Sequence, residues 1–159
     1  MTIAIRPATP ADAPALAALR YHFRAAMNDA TEDRDAFLAR CTPWMAARLE
    51  PGSPWHCWVA ESDGAVIGTL WLYLLEKLPN PVPEPEAHAY ITSIYVDPAA
   101  RGGIGTALME SAIAFAREQG VDSAILWPTE GSRSLYRRFG FAETTDIMQA
   151  IITTGRDLH

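Results

Sequence analysis

Residues 89–109 constrain the fold more than any other part of the chain, because their residue pattern changes from strand-like to helical at a cluster of glycines. The first part, Tyr90 to Val96, is rich in β-branched and aromatic residues and predicts a strand. Asp97-Pro98 ends that strand, since proline has no N–H to donate to a ladder. Beyond the glycines, apolar and small residues recur at helical spacing, at Ile104, Leu108, Ser111, Ala112 and Phe115. Gly120 then predicts the end of the helix.

The turn in the middle of this stretch, with glycines at 102, 103 and 105, has the features of an anion site. The free N–H groups of a helix N-terminus, with a dipole equivalent to about half a positive charge, favour a phosphate. Glycine lets that phosphate approach the backbone without a Cβ atom in the way. A turn that simply links a strand to a helix fits the same residues. A dinucleotide-binding fold is disfavoured because its glycines follow the first strand, and a P-loop because no Gly-Lys-Ser/Thr follows.

Composition limits the class of protein. The 159 residues are 49% hydrophobic and 20% charged, which is typical of a soluble protein, and we expect residues 1–159 to form a single domain. The formal net charge of −6 argues against a nucleic-acid partner. No signal peptide is recognisable, and the longest apolar run, Val66 to Leu75, is too short to span a membrane. Cys41 and Cys57 lack metal-ligand spacing, so we expect free thiols in a cytoplasmic protein without a metal or membrane partner.

The first half of the chain predicts two helical regions and three strands. A strand over Ile3 to Arg6 is followed by a helix that begins at Thr9-Pro10 and buries a stripe of apolar residues. Pro43 is expected to divide the second helical region. Asp63-Gly64 predicts a hairpin between strands 56–60 and 65–75, and four prolines make 78–86 a surface loop. The apolar stripe of the first helix consists of Leu16, Leu19, Phe23 and Met27.

The second half adds a strand over 121–126, a short helix over 132–138 and a last strand over 141–152. The predicted order is therefore β-α-α-β-β-β-α-β-α-β, which indicates a mixed α/β or α+β fold with helices packed on a sheet.

Three motifs follow one another along the chain: Tyr95-Val-Asp-Pro98, Arg101-Gly-Gly-Ile-Gly105 with Ala107-Leu108, and Leu135-Tyr136 with Gly140-Phe141. In this order and spacing the sequence resembles the GNAT superfamily of acetyl-CoA-dependent N-acetyltransferases. The resemblance implies a mixed, mostly antiparallel central sheet flanked by helices, with acetyl-CoA as the co-substrate. The turn is one residue shorter than the family's usual Arg-Gly-x-Gly-x-Gly/Ala, and Thr129 stands where the family often has asparagine.

The resemblance also implies roles for particular residues. Backbone groups of the central strand would hold the pantetheine and thioester like an added strand, and amides of the turn would bind the pyrophosphate. Tyr136 matches the family's general acid; a phenol with a pKa of about 10 can protonate a thiolate whose own pKa is about 8–9. A packed aromatic residue is the alternative for Tyr136, and a solvated turn residue is the alternative for the Arg101 side chain. The cofactor-binding residues so implied are Ile94, Tyr95, Val96, Arg101, Gly102, Gly103, Ile104, Gly105 and Thr106.

The acceptor side is less well defined. At neutral pH about one primary amine in a thousand is deprotonated, a deficit of about 4 kcal/mol that a base or a desolvating pocket must offset. Strict alternation along the central strand would place Tyr90, Thr92, Ile94 and Val96 on one face, and no residue of this strand is a glutamate. By position, the nearest candidates for substrate contact or a base are Trp127, Glu130 and His88.

Because no cysteine lies in the motif segments, we expect direct acetyl transfer to an amine in a ternary complex. A small-molecule amine is favoured over a protein if the proline-rich loop covers the site. The alternative from another class is a non-catalytic module of the same fold that senses acyl-CoA. Family members often dimerise, so the resemblance also allows a homodimer.

Overall fold

The computed structural model describes residues 2–27, 30–100, 102–143 and 146–153, except for the side chain of Glu130. It contains five strands and four α-helices in these ranges, and short 3₁₀ turns precede the first and last helices at Pro10–Asp12 and Glu130–Ser132. In chain order the elements are β1 (Ile3–Pro7), α1 (Ala13–Ala26), α2 (Arg34–Arg48), β2 (Trp55–Ser62), β3 (Ala65–Glu76), β4 (Ala87–Val96), α3 (Ile104–Glu118), β5 (Ala124–Ile125) and α4 (Arg133–Arg138).

The strands form one sheet in sequence order, β1-β2-β3-β4-β5. Neighbouring strands are antiparallel except for β4 and β5, which are parallel because α3 crosses over between them. Asp63 and Gly64 both have positive φ (50° and 80°), as the two-residue turn between β2 and β3 requires. The predicted mixed, mostly antiparallel fold class is confirmed.

The sheet carries a core on each face. On one face α3 packs Leu108, Met109 and Ala112 against residues of the middle strands such as Leu70 and Leu72. On the other face α1 and α2 contribute Leu16 and Met45 to a second cluster that covers Val59 and Trp71. These faces are called the α3 face and the α1 face below.

Two details of the helices differ from the predictions. Pro43 lies inside an uninterrupted α2, because Leu38 on one side of it and Met45 on the other both pack into the α1-face core. Met27 follows the last residue of α1 and is exposed, so the buried stripe of α1 ends before it. Among the described residues no helix is both long and apolar enough to cross a bilayer.

The strands after α3 also differ. β5 has only two residues instead of the six predicted over 121–126. The described parts of the predicted last strand, 141–143 and 146–152, do not form a strand, and the rest of it lies outside the described residues. Ile147, Met148, Ile151 and Ile152 are all exposed. Strand formation depends on a neighbouring strand as well as on β-branched residues, and the sheet of the described residues ends at β5.

Candidate active site

A bulge in β4 organises the site. Ile91 lies opposite Leu72 of β3, but the next pair along is Ser93 with Trp71, so Thr92 is one residue more than β3 can match. The extra residue reverses the alternation of side chains. Ile91 and Ile94 therefore both pack in the α3-face core, and the predicted strict alternation along this strand is wrong.

The α1 face of β4 receives the other side chains. Tyr90 lies between Ala89 and Ile91, both buried in the α3-face core, so its side chain has the opposite orientation. Ser93 accepts a hydrogen bond from a residue of α1, and Tyr95 packs its ring 4.8 Å from that of Phe23 of α1. The bulge thus gives β4 an apolar α3 face and a polar, aromatic α1 face.

Beyond the bulge, β4 and β5 separate. Their described ladder consists of two pairs, Ala89 with Ala124 and Tyr90 with Ile125. Farther along, the Asp97 N–H donates to the Ile67 carbonyl on the β3 side (2.8 Å). Because backbone groups alternate in direction along a strand, those of Ile94 and Val96 face the opposite side, into the gap between β4 and β5. This gap, which we call the β4–β5 cleft, is open to an extended ligand that would pair with β4.

The glycine turn lies just beyond the cleft. Gly103 has φ +91°, precedes α3 as its N-cap, and provides no side chain to cap the helix. The first intrahelical bond joins the Ala107 N–H to the Gly103 carbonyl (3.1 Å), so the amides of residues 104–106 have no intrahelical partner. A Cβ atom built on Gly102 or Gly103 would meet no described atom within 4 Å. The turn therefore presents free donors to open space; Arg101 lies outside the described residues.

The short helix α4 lies beside the first turn of α3. Arg138 donates from Nη2 to the Thr106 hydroxyl (3.3 Å), and a Cβ atom on Gly105 would lie 3.6 Å from Leu135. Tyr136, between these two residues of α4, is 7% exposed, and its ring packs edge-on against Phe141 at 5.9 Å.

The environment of Tyr136 keeps its phenol protonated. Burial raises its pKa above the ordinary value of about 10, and a hydrogen bond with Ser132 opposes part of that shift. The residue also lines a cavity of about 310 Å³ between β5 and the segment after α4. A general acid needs this protonated form, so the environment is compatible with proton donation.

Residues 17–141 match the model of the acetyltransferase (GNAT) family. The chain belongs to this family. It is 34% identical over 109 residues to an uncharacterized N-acetyltransferase of Methanocaldococcus jannaschii, a match that covers 63% of this chain and 43% of that protein. The chain therefore spans less than half the length of this curated relative.

Solved GNAT-fold structures match over almost the whole chain. The structure of a GCN5-related N-acetyltransferase from Ralstonia eutropha has 33% sequence identity and a TM-score of 0.70, with 94% of this chain and 99% of that chain covered. A predicted acetyltransferase from Clostridium acetobutylicum, solved with acetyl-CoA, has a TM-score of 0.73 at 20% identity, with 94% and 96% covered.

The predicted acceptor residues of this GNAT chain fall in different places. Trp127 is 51% exposed, and its ring meets that of Tyr90 edge-on at 5.2 Å, beside the β4–β5 cleft on the α1 face. His88 lies where β4 and β5 are still paired, and its Nδ1 is 2.9 Å from the Ser123 hydroxyl. The backbone of Glu130 begins the 3₁₀ turn before α4, but its side chain lies outside the described residues.

The structure adds Arg20 and Ser93 to the site of this GNAT protein, and the sequence analysis proposed neither of them. Arg20 of α1 donates from Nη1 to the Ser93 hydroxyl of β4 (3.1 Å), next to the cleft. A signal for Arg20 was present in the sequence, since it falls four residues after Leu16 within the apolar stripe of α1. A charged residue at a position that should face the core is a candidate for a special role.

Proposed function

We propose that the protein transfers the acetyl group of acetyl-CoA to the amine of a small molecule, directly, within a ternary complex. The β4–β5 cleft carries this proposal, because Ile94 and Val96 lie beyond the described β4–β5 pairs, on the strand that leads into the uncapped N-terminus of α3.

The residues present fit acetyl-CoA. Its pantetheine arm carries amides that can pair with the free backbone groups of Ile94 and Val96, as an added strand would. Its pyrophosphate suits the amides of residues 104–106, because an uncapped helix N-terminus attracts an anion and Gly103 leaves space beside them. Arg138 and the Thr106 hydroxyl lie at the same helix turn and add donors there.

The chemical step needs one proton donor and one neutral amine. The amine nitrogen bonds to the acetyl carbon, the carbon–sulfur bond breaks, and the CoA sulfur leaves as a thiolate. Tyr136 supplies the proton for that sulfur, since burial keeps its phenol in the acid form. The amine releases its own proton to water, and the Tyr136 phenolate takes a proton back from water, which restores the acid for the next turnover.

The raised pKa values of both cysteine thiols favour direct transfer over a covalent acetyl-enzyme. Burial raises the pKa of the Cys57 thiol to about 12, and its sulfur is 3.2 Å from the Thr69 hydroxyl on the α1 face. Burial also raises the pKa of Cys41. A covalent acetyl-enzyme would need a thiolate, which neither environment favours.

The shape of the acceptor side favours a small molecule. α1 lies over β4 with Phe23 against Tyr95 and Arg20 against Ser93, so a helix covers this part of the face. The rings of Trp127 and Tyr90 lie at the β5 side of the same face and limit the space there. A polypeptide acceptor would need an open groove along this face.

Two measurements on the same protein test the proposal. Release of free CoA thiol from acetyl-CoA would be followed across a panel of amines, and CoA binding would be measured by calorimetry. We expect saturable CoA binding and amine-dependent thiol release. CoA binding without release for any amine or peptide would identify an acyl-CoA sensor instead, and no CoA binding would contradict both functions.

A further inference from the structure

Arg20 is a half-buried cation with no acidic partner among the residues that the structure describes. Its described contacts are the Ser93 hydroxyl, 3.1 Å from Nη1, and the ring of Phe23, whose centroid is 5.8 Å from the guanidinium carbon. Burial lowers its pKa, and the titratable groups that also affect it are Arg24, Cys41 and Tyr90. None of these is a carboxylate.

Two other arginines of the chain, Arg6 and Arg40, are paired with carboxylates. Arg6 donates to both Asp12 and Glu61 at 2.8 Å. Arg40 pairs with Glu32 at 2.6 Å, although it is largely exposed. A desolvated charge needs compensation more than an exposed one does, so the absence of a described acid beside Arg20 requires an explanation.

The position of Arg20 supplies that explanation. Ser93 directly precedes Ile94, whose backbone groups face the β4–β5 cleft, and Tyr90 and Trp127 lie on the same α1 face. At about 3.3 Å per residue along a strand, a ligand of roughly 10 Å can reach both the guanidinium and the cleft.

We propose that Arg20 binds a carboxylate of the acceptor, so that the acceptor is an amine that also carries a carboxylate, such as an amino acid. This proposal rests on the proposed acetyl transfer and narrows its acceptor class. The guanidinium has five N–H donors in a planar fork that matches a carboxylate, and one described bond uses one of them. The Ser93 hydroxyl accepts from Arg20 and keeps its own proton to donate to the same ligand.

The same geometry disfavours a polycationic acceptor. Arg20 repels an ammonium group, and no carboxylate among the described side chains lies beside it to offset that repulsion. The overall charge of −6 therefore does not describe the charge at this position.

Matched acceptors test the proposal through kcat/KM. Glycine, β-alanine and 4-aminobutyrate would each be compared with the corresponding carboxamide, at equal concentrations of neutral amine. Because hydrogen bonds between charged groups are strong, we expect at least one carboxylate to be preferred by about 10- to 100-fold. Arg20→Met should abolish that preference through KM, while Arg20→Lys should retain part of it.

Controls separate recognition from folding. Arg34→Met removes an exposed arginine at the start of α2 and should leave the preference unchanged. Thermal unfolding and the Kd for CoA should be the same in Arg20→Met as in the wild type, and Arg20→Lys provides a second variant if Arg20→Met fails to fold.

A binding experiment tests the same carboxylate preference without turnover. With CoA present, N-acetylglycine and the other N-acetylated carboxylates should bind more tightly than their amides, and Arg20→Met should remove the difference. Turnover of amines without any carboxylate preference, or a preference that survives Arg20→Met, would overturn the role of Arg20 and leave acetyl transfer intact. Turnover of no amine, with carboxylate binding that depends on Arg20, would contradict acetyl transfer and support the binding site.

Discussion

The two faces of β4 differ in what surrounds them. On the α3 face, Ile91 and Ile94 pack among apolar side chains of α3 and of the neighbouring strands. On the α1 face, Ser93 meets a guanidinium and Tyr90 meets an exposed tryptophan. One extra residue, Thr92, puts Ile94 on the same face as Ile91, and it lies where β4 and β5 begin to separate. The comparison teaches that a single bulge can give one strand both a packing role and a ligand-facing role.

A variant of Tyr136 gives the strongest test of the contrast between packing and ligand-facing residues. Its ring packs in the α3-face core, and yet we propose a chemical role for its hydroxyl. Tyr136→Phe keeps the ring and removes the hydroxyl. We expect kcat for acetyl transfer to fall by about 10²- to 10⁴-fold, as for loss of a general acid, with the Kd for CoA and the melting temperature nearly unchanged. Steady-state kinetics and calorimetry check this, and an unchanged kcat would make Tyr136 a core residue alone.

Neighbouring positions on opposite faces of β4 give the next largest contrast. Ile91→Ala removes a side chain that is 3% exposed in the α3-face core and should lower the free energy of unfolding by about 2–5 kcal/mol. Ser93→Ala should lower it by about 1 kcal/mol, because it removes one hydrogen bond to a partly accessible guanidinium. Urea denaturation measures both. Equal losses in the two variants would show that β4 does not have one packing face and one ligand-facing face.

Gly103 and Gly52 form a matched pair for the turn. Both have φ close to +90°, and a Cβ atom on either would meet no described atom within 4 Å. Alanine at either position should therefore destabilise the fold to a similar extent, by about 1–2 kcal/mol. Gly103→Ala should in addition weaken CoA binding by about 10-fold, since its Cβ enters the space beside the free amides of α3. Calorimetric titration of both variants decides whether that space serves CoA.

The smallest expected effect is on the pH profile. Burial disfavours the charged phenolate of Tyr136, which raises its pKa and moves the loss of the acid form to a pH above about 10. kcat/KM should therefore rise with pH as the free amine becomes deprotonated and should show no decrease below about pH 10. A descending limb with a midpoint below pH 9 would show that Tyr136 is not the proton donor.

The sequence predicted the central strand, glycine turn and helix well because their signals are local. β-branched residues, three glycines and a helical apolar period all lie within residues 89–120. The bulge was missed, because a strict period of two has no place for Thr92, although Ile91 and Ile94 already break that period.

The missed features depend on contacts between distant residues. The predicted last strand has β-branched residues, but pairing requires a neighbour that local sequence does not specify. Arg20 required knowledge of the neighbouring strand, since its position beside Ser93 joins residues 73 positions apart.

The most direct test of the β4–β5 cleft is a backbone amide NMR titration with acetyl-CoA. We predict the largest shifts at the amides of Ile94, Val96 and residues 103–106, with small shifts at His56 and Phe115, which line a separate cavity between β2 and α3. Shifts concentrated at that cavity, or in the segment after α4, with no change at Ile94 and Val96 would contradict the account.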